Sequence, residues 1–333
     1  MRKRIFIVAI VAVGLCASEA SAVWIWTPQT RRWVNPKYSA KDSPQAQMDW
    51  AVSLFESRDY PRAAKEFVRL VQAFPRSELA PEAQYLAGVS DELLDKTAEA
   101  YAAYKKVVEV YPFSRRFKDA IEREFAIAEG FFSGKRLRLI GPVGLPSLDK
   151  AIEIYQHVVD QAPFSEYGAR AQFRLGESFR KQQRFEEASR AFQKVVDEYP
   201  SSSWVADAKF NVAFCAYQLS LEPSYDQSAT DEAMTWFETF IVSHPESNLV
   251  PEAKEGLHKL REHKAQGLSQ IASFYELQGK KESAAIYYRQ IVEQYPDSSI
   301  APKAVAKLTE FSATGIGGSA NPLGGDQTGA LKQ

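Results

Sequence analysis

The stretch from Ala169 to Ser202, ARAQFRLGESFRKQQRFEEASRAFQKVVDEYPSS, decides the fold. In its first half Phe173, Leu175, Gly176 and Phe179 recur at three- and four-residue steps, which gathers them on one face of a helix. Ala188, Phe192 and Val195 do the same in the second half. The polar break from Lys181 to Arg184 is too short for anything but an antiparallel return, so the two helices pack face to face. Gly176 and Ala188 are placed where the two backbones approach most closely, and a larger residue there would cost roughly 1 to 3 kcal/mol. Pro200 ends the unit, and Ser202 reads as the N-cap of the next helix.

The same offsets recur along the chain. Alanine, an aromatic residue four positions on and proline eight beyond that occur as Ala63/Phe67/Pro75, Ala100/Tyr104/Pro112, Ala151/Tyr155/Pro163, Ala188/Phe192/Pro200, Ala233/Phe237/Pro245 and Ala284/Tyr288/Pro296. Each proline is followed two residues later by serine, at 77, 114, 165, 202, 247 and 298. The pattern predicts an all-α solenoid of about six tetratricopeptide-type hairpins over 47–311, closed by a capping helix from Pro302 to Phe311.

Residues 1–22 read as a secretory signal peptide: Arg2, Lys3 and Arg4, an apolar run from Ile5 to Leu15, and the small residues Ala20, Ser21 and Ala22. Cys16 stands where a lipidated cysteine would, but Leu15 occupies the preceding position, which should be small, so cleavage after Ala22 is the expectation and lipidation at Cys16 the alternative. Without residues 1–22 the 41 basic and 42 acidic residues become 38 and 41, a net charge of −3. That balance implies no nucleic-acid partner. Cys215 then remains alone, a buried structural thiol in an apolar stripe.

Residues 23–46 carry Trp24, Trp26 and Trp33 with three prolines and no helical period, an extended arm that either caps the first repeat or touches a partner or a membrane surface. The third repeat is interrupted at 134–147, GKRLRLIGPVGLPS, read as an exposed basic and apolar loop. A smaller polar insertion, 222–230, lies in the fifth. The sixth repeat gains 14 residues without proline, so one helix of about 40 Å is predicted over 252–278, overshooting the array. The glycine-rich tail, 312–333, is expected to be disordered.

No catalytic, cofactor or metal constellation emerges. His258 and His263 lack the four-residue spacing of a zinc pair, and there is no phosphate-binding Gly-Lys-Ser/Thr loop or Gly-x-Ser-x-Gly elbow. Acidic pairs such as Glu186/Glu187 read as solvated helix faces. What remains is surface: with the first helix of each hairpin on the concave side, Met48, Val52, Phe55, Tyr85 and Val89 form the candidate partner-binding groove.

The Pro-x-Ser punctuation, as in Tyr199-Pro200-Ser201-Ser202 and Tyr295-Pro296-Asp297-Ser298, the export signal, the insertion in the third repeat and the overlong helix together resemble the BamD family of outer-membrane assembly factors over about residues 46–311. The resemblance implies a non-catalytic periplasmic scaffold at the outer-membrane periphery, joined to a POTRA-containing barrel assembly protein and receiving unfolded outer-membrane proteins as clients. The family is usually lipidated and usually has five repeats, whereas this chain has Leu15 before Cys16 and six. A second type, a periplasmic repeat adaptor of the Tol and envelope-constriction kind, shares the Tyr-Pro-x-Ser punctuation but carries a coiled coil for which there is no heptad run here.

Overall fold

The computed structural model describes residues 25–27, 32–34, 39–134, 136–140, 143–146, 148–221 and 227–313. The signal segment with Cys16, the insertion at 222–226 and the tail from 314 lie outside the described residues. The chain divides into two units, Met1–Arg116 and Phe117–Gln333.

In the first unit β1 (Ile25–Thr27) and β2 (Arg32–Val34) pair antiparallel, and the hairpins α1 (Pro44–Glu56)/α2 (Tyr60–Ala73) and α3 (Ala80–Leu93)/α4 (Thr97–Val110) follow. The 23–46 stretch is therefore not a wholly extended arm. Its strands form a ribbon, and its last residues already belong to α1, which Pro44 opens with its pre-set φ while Ser43 Oγ accepts from Ala46 N at 3.2 Å.

The second unit contains α5 (Phe117–Phe132), β3 (Arg136–Ile140), β4 (Val143–Pro146), α6 (Leu148–Gln161), α7 (Gly168–Lys181), α8 (Phe185–Glu198), α9 (Val205–Ser220), α10 (Gln227–Ser243), α11 (Val250–Leu277), α12 (Lys281–Gln294) and α13 (Ala301–Ala313). The 134–147 insertion is a β-ribbon, not a loop: β3 and β4 pair antiparallel, with an irregularity between Arg138 and Ile140. The alternation of basic and aliphatic residues in RLRLI is the period-two pattern of a strand. Helices α11 and α13 differ by one or two residues from the sequence boundaries, as helix ends do.

The interior of each of the six hairpins is built in the same way. Ala63, Ala100, Ala151, Ala188, Ala233 and Ala284 are completely buried, and the aromatic ring four residues after each is at most 1% exposed. At Gly176 the close approach is to the Phe192 ring and not to Ala188: an added Cβ would stand 2.7 Å from that ring, and at Gly88 2.6 Å from Tyr104. In these two hairpins the glycine twelve positions before the core alanine leaves room for the second helix's ring against the first helix.

The serines of Pro-x-Ser, Ser202 among them, do not act as N-caps, except that Ser298 Oγ accepts from Ala301 N, the first amide of α13, at 3.2 Å. Helix α9 starts at Val205, three residues after Ser202, and its own cap, Trp204, makes no side-chain bond. Each serine amide instead donates to the carbonyl before the proline, at 2.9 to 3.1 Å in all six corners. Four serine hydroxyls, on Ser77, Ser165, Ser202 and Ser247, accept from the amide two residues on. The residue before proline is barred from helical geometry, so the chain turns there, and the serine, too far upstream to reach the second or third helical amide, staples the turn.

Helix α11 does not simply overshoot. Its first half packs on α10, with Leu260 in the α9–α11 core, and its second half holds Ala265, Leu268 and Ala272 against α12. Midway, Glu262 accepts from Ser299 N (2.6 Å) and Ser299 Oγ (2.8 Å), fastening the corner before α13.

Candidate functional site

Four hairpins turn in three residues, with Arg58, Asp95, Gln183 and Gly279 at φ between 56° and 74°. Each turn closes with a doubled C-terminal hydrogen-bond pattern, for example Arg184 N to Phe179 O (3.0 Å) and Gln183 N to Arg180 O (2.9 Å). A buried glutamine sixteen residues before three of the core alanines crosses each helix pair: Gln47 Nε2 donates to Glu66 O (3.0 Å), Gln84 Nε2 to Ala103 O (3.2 Å) and Gln172 Nε2 to Ala191 O (2.9 Å). These fix the helix faces that remain outward.

In the first unit the five groove candidates divide. Met48 and Tyr85 are buried, at 7% and 8% exposure. Phe55 is half-buried, its ring 5.4 Å from Tyr60 and 6.2 Å from Phe67, inside its own hairpin. The Tyr85 ring lies between Tyr104 (5.4 Å) and the Arg116 guanidinium (4.6 Å), which is itself paired to Glu82 at 2.5 Å. Only Val52 and Val89 are half-buried aliphatics without such aromatic partners. Helical periodicity placed Met48, Val52 and Phe55 on α1 and Tyr85 and Val89 on α3, but whether a position faces the partner helix or solvent depends on the crossing of the pair, which periodicity does not carry.

In the second unit the first helices present a cation-and-aromatic surface. From α7, Arg170 covers Phe125 (4.8 Å), Arg174 covers Phe132 (4.9 Å) and Lys181 stands 3.4 Å above the same Phe132 ring. Glu129 binds this set, accepting from Tyr155 Oη at 2.5 Å and pairing with Arg174 Nε at 2.9 Å. Burial, reinforced by Glu129, holds the Tyr155 phenol far above its usual range. Beside it Glu124, wholly buried, lies 2.7 Å from His157 Nδ1. Burial and the neighbouring Glu177 raise the Asp207 carboxyl on α9. Burial pushes the Cys215 thiol up to about 12, so it stays protonated near neutral pH and unreactive.

Sequence reasoning missed the Glu124/His157 pair, for which the chain offers no repeat signal, and the glutamine ladder, whose constant offset from the core alanines was available. Among the described residues no three His, Cys, Asp or Glu side chains gather as a metal site. One cleft of about 190 Å³ lies between α11 (Lys254, His258, Arg261) and the Tyr295–Ser298 corner, and another of about 420 Å³ lies between Phe117, Lys118 and Ile121 of α5 and the Ala162–Tyr167 corner.

A family model described as the outer membrane lipoprotein YfiO matches residues 146–316, and a tetratricopeptide-repeat model matches 48–115. A curated relative, outer membrane protein assembly factor BamD of Caulobacter vibrioides, is 20% identical over 188 residues. The match covers 55% of this chain and spans 62% of the relative's length. Among solved structures, YrrB, described as a TPR protein with an unusual peptide-binding site, is 18% identical, with 66% of this chain and 94% of that one covered and a TM-score of 0.33. A tetratricopeptide repeat protein from Parabacteroides merdae is 14% identical, with 79% and 98% covered and a TM-score of 0.32.

Proposed function

The chain belongs to the YfiO family of outer membrane lipoproteins, and from that membership we propose that it is a non-catalytic periplasmic scaffold of the outer-membrane protein assembly machinery. It joins a POTRA-containing barrel assembly protein and receives unfolded outer-membrane proteins. The observation that carries this reading is the family match across 146–316, the stretch from the end of β4 through α13. A stack of helix pairs whose buried phenol and thiol stay protonated acts by presenting surfaces, and two surfaces on one chain raise the local concentration of each partner for the other.

Client contact belongs to the first unit, where Val52 and Val89 remain from the groove set after Met48, Phe55 and Tyr85 are assigned to hairpin interiors. Contact with the barrel component belongs to the outward face of α11. Purification from native membranes in mild detergent tests the core of the proposal: a POTRA-containing barrel protein is expected to accompany the chain, and recovery of Tol-type constriction proteins in its place would favour the adaptor alternative. The two-surface arrangement is tested by Val52→Asp with Val89→Asp, expected to reduce crosslinking to unfolded client only, against Lys254→Glu with Arg261→Glu, expected to release only the barrel component. Folded variants that lose both partners equally would overturn it.

A further inference from the structure

The ribbon β1–β2 has no place in the repeat pattern. Its register sets Trp26 opposite Trp33, so both residues occupy one face, while Ile25, Thr27, Arg32 and Val34 occupy the other. Trp26 is 46% exposed, an unusual position for the largest apolar side chain. The sequence around it is equally distinctive: between 23 and 41 there are four basic residues, Arg31, Arg32, Lys37 and Lys41, and no acidic one, in a chain whose total is slightly negative. Tryptophan settles at the boundary between headgroup and acyl chain, where its ring is desolvated and its indole N–H stays wet. Basic residues beside it add attraction to anionic headgroups.

From these observations we infer that the β1–β2 ribbon is a phospholipid-surface anchor, its Trp26/Trp33 face lying in the interface while the net positive charge of the surrounding sequence attracts it to anionic headgroups. The inference rests on the reading that the chain works at the outer membrane. It also explains how such a chain is retained if Cys16, preceded by Leu15, is not acylated. No helix among the described residues is long and apolar enough to cross a membrane. Anchoring by a two-tryptophan ribbon is reversible, since even one fatty-acyl chain binds only marginally and firm attachment takes a second signal, here the basic charge.

The test uses the exported chain carrying Cys16→Ser, which cannot be acylated, with vesicles of phosphatidylethanolamine and phosphatidylglycerol in a flotation gradient. The parent chain is expected to float, and lipids brominated near the headgroups to quench its tryptophan fluorescence. Trp26→Ala with Trp33→Ala should weaken flotation by at least about tenfold, given the area a tryptophan ring removes from water, with unchanged melting. Ile25→Ala with Val34→Ala, on the opposite face, should float as the parent does. Trp26→Glu alone, at a half-exposed position, repeats the comparison with a single change and should weaken flotation as well. A parent chain that stays at the bottom of the gradient, or a tryptophan variant that floats unchanged, overturns the inference. So does a tryptophan variant that melts as early as Phe67→Ala, which would make the ribbon a cap on the first hairpin. Val52→Asp with Val89→Asp should float normally, so a failed scaffold reading and a failed anchor are told apart.

Discussion

Hairpin α7/α8 turns in three residues, whereas α5/α6 is interrupted by the fifteen residues between Phe132 and Leu148, yet the two interiors are alike. Ala188 and Phe192 in the first and Ala151 and Tyr155 in the second are all fully buried. What differs is the polar part: α7/α8 is crossed by Gln172, while α5/α6 is held by Tyr155 on Glu129 and by Glu124 on His157. The insertion moved the connection without disturbing the faces, because the alanine and the ring that fill the interior are both carried by the second helix of the pair. Closing a longer loop costs only about 0.6 kcal/mol per doubling of its length.

The comparison breaks first if the rings are unequal. Phe192→Ala and Tyr155→Ala should each cost about 3 to 5 kcal/mol in urea unfolding, and a Tyr155 variant costing under about 1 kcal/mol would mean the interrupted hairpin is not packed as drawn. The next largest effect distinguishes the two. His157→Ala, which removes the imidazole from a wholly buried carboxylate, should cost about 3 kcal/mol, and Glu124→Gln made together with it should recover part of that loss. Ala188→Leu, pressing a branched side chain into the helix contact, should cost about 1 to 3 kcal/mol, while Glu187→Gln on the outer face changes stability by under about 0.5 kcal/mol. Equal melting of those two variants would refute the register. The smallest effect sharpens the turns: Gln183→Gly, at φ 59°, should stabilise by up to about 1 kcal/mol, and Gly279→Ala should do the reverse by a similar amount, both read from denaturation midpoints.

The hairpin interiors were legible because one alanine and one ring repeat in fixed register, and an offset that recurs six times marks the same core position in each hairpin. The glutamine at minus sixteen was visible by the same logic. The serine was misassigned because its spacing from proline says that it recurs and not which amide it reaches, and that depends on where the following helix begins. The groove was legible only as a set of helices. Tyr85 and Val89 lie one turn apart on α3, yet one ring is sandwiched by Tyr104 and Arg116 while the other side chain stays half-open, a division set by tertiary neighbours. The Glu124/His157 pair, 33 residues apart and occurring once, left no pattern to find.

The proline corners carry a consequence for how such a chain can grow and shrink. Every hydrogen bond that shapes the Ser202 corner, from Ser202 N to Tyr199 O, from Val205 N to Ser202 O and from Trp204 N to Ser202 Oγ, joins residues of the corner itself. The same holds at Ser165. The 37-residue step from Pro163 to Pro200 therefore forms a cassette whose two ends, different in sequence apart from proline and serine, make the same hydrogen bonds, and a duplication or excision cut at the two prolines regenerates a complete corner at the joint. Unequal recombination between repeats would pass through folded intermediates, which makes the number of hairpins in such a chain an easily changed quantity and the corner sequence the durable one.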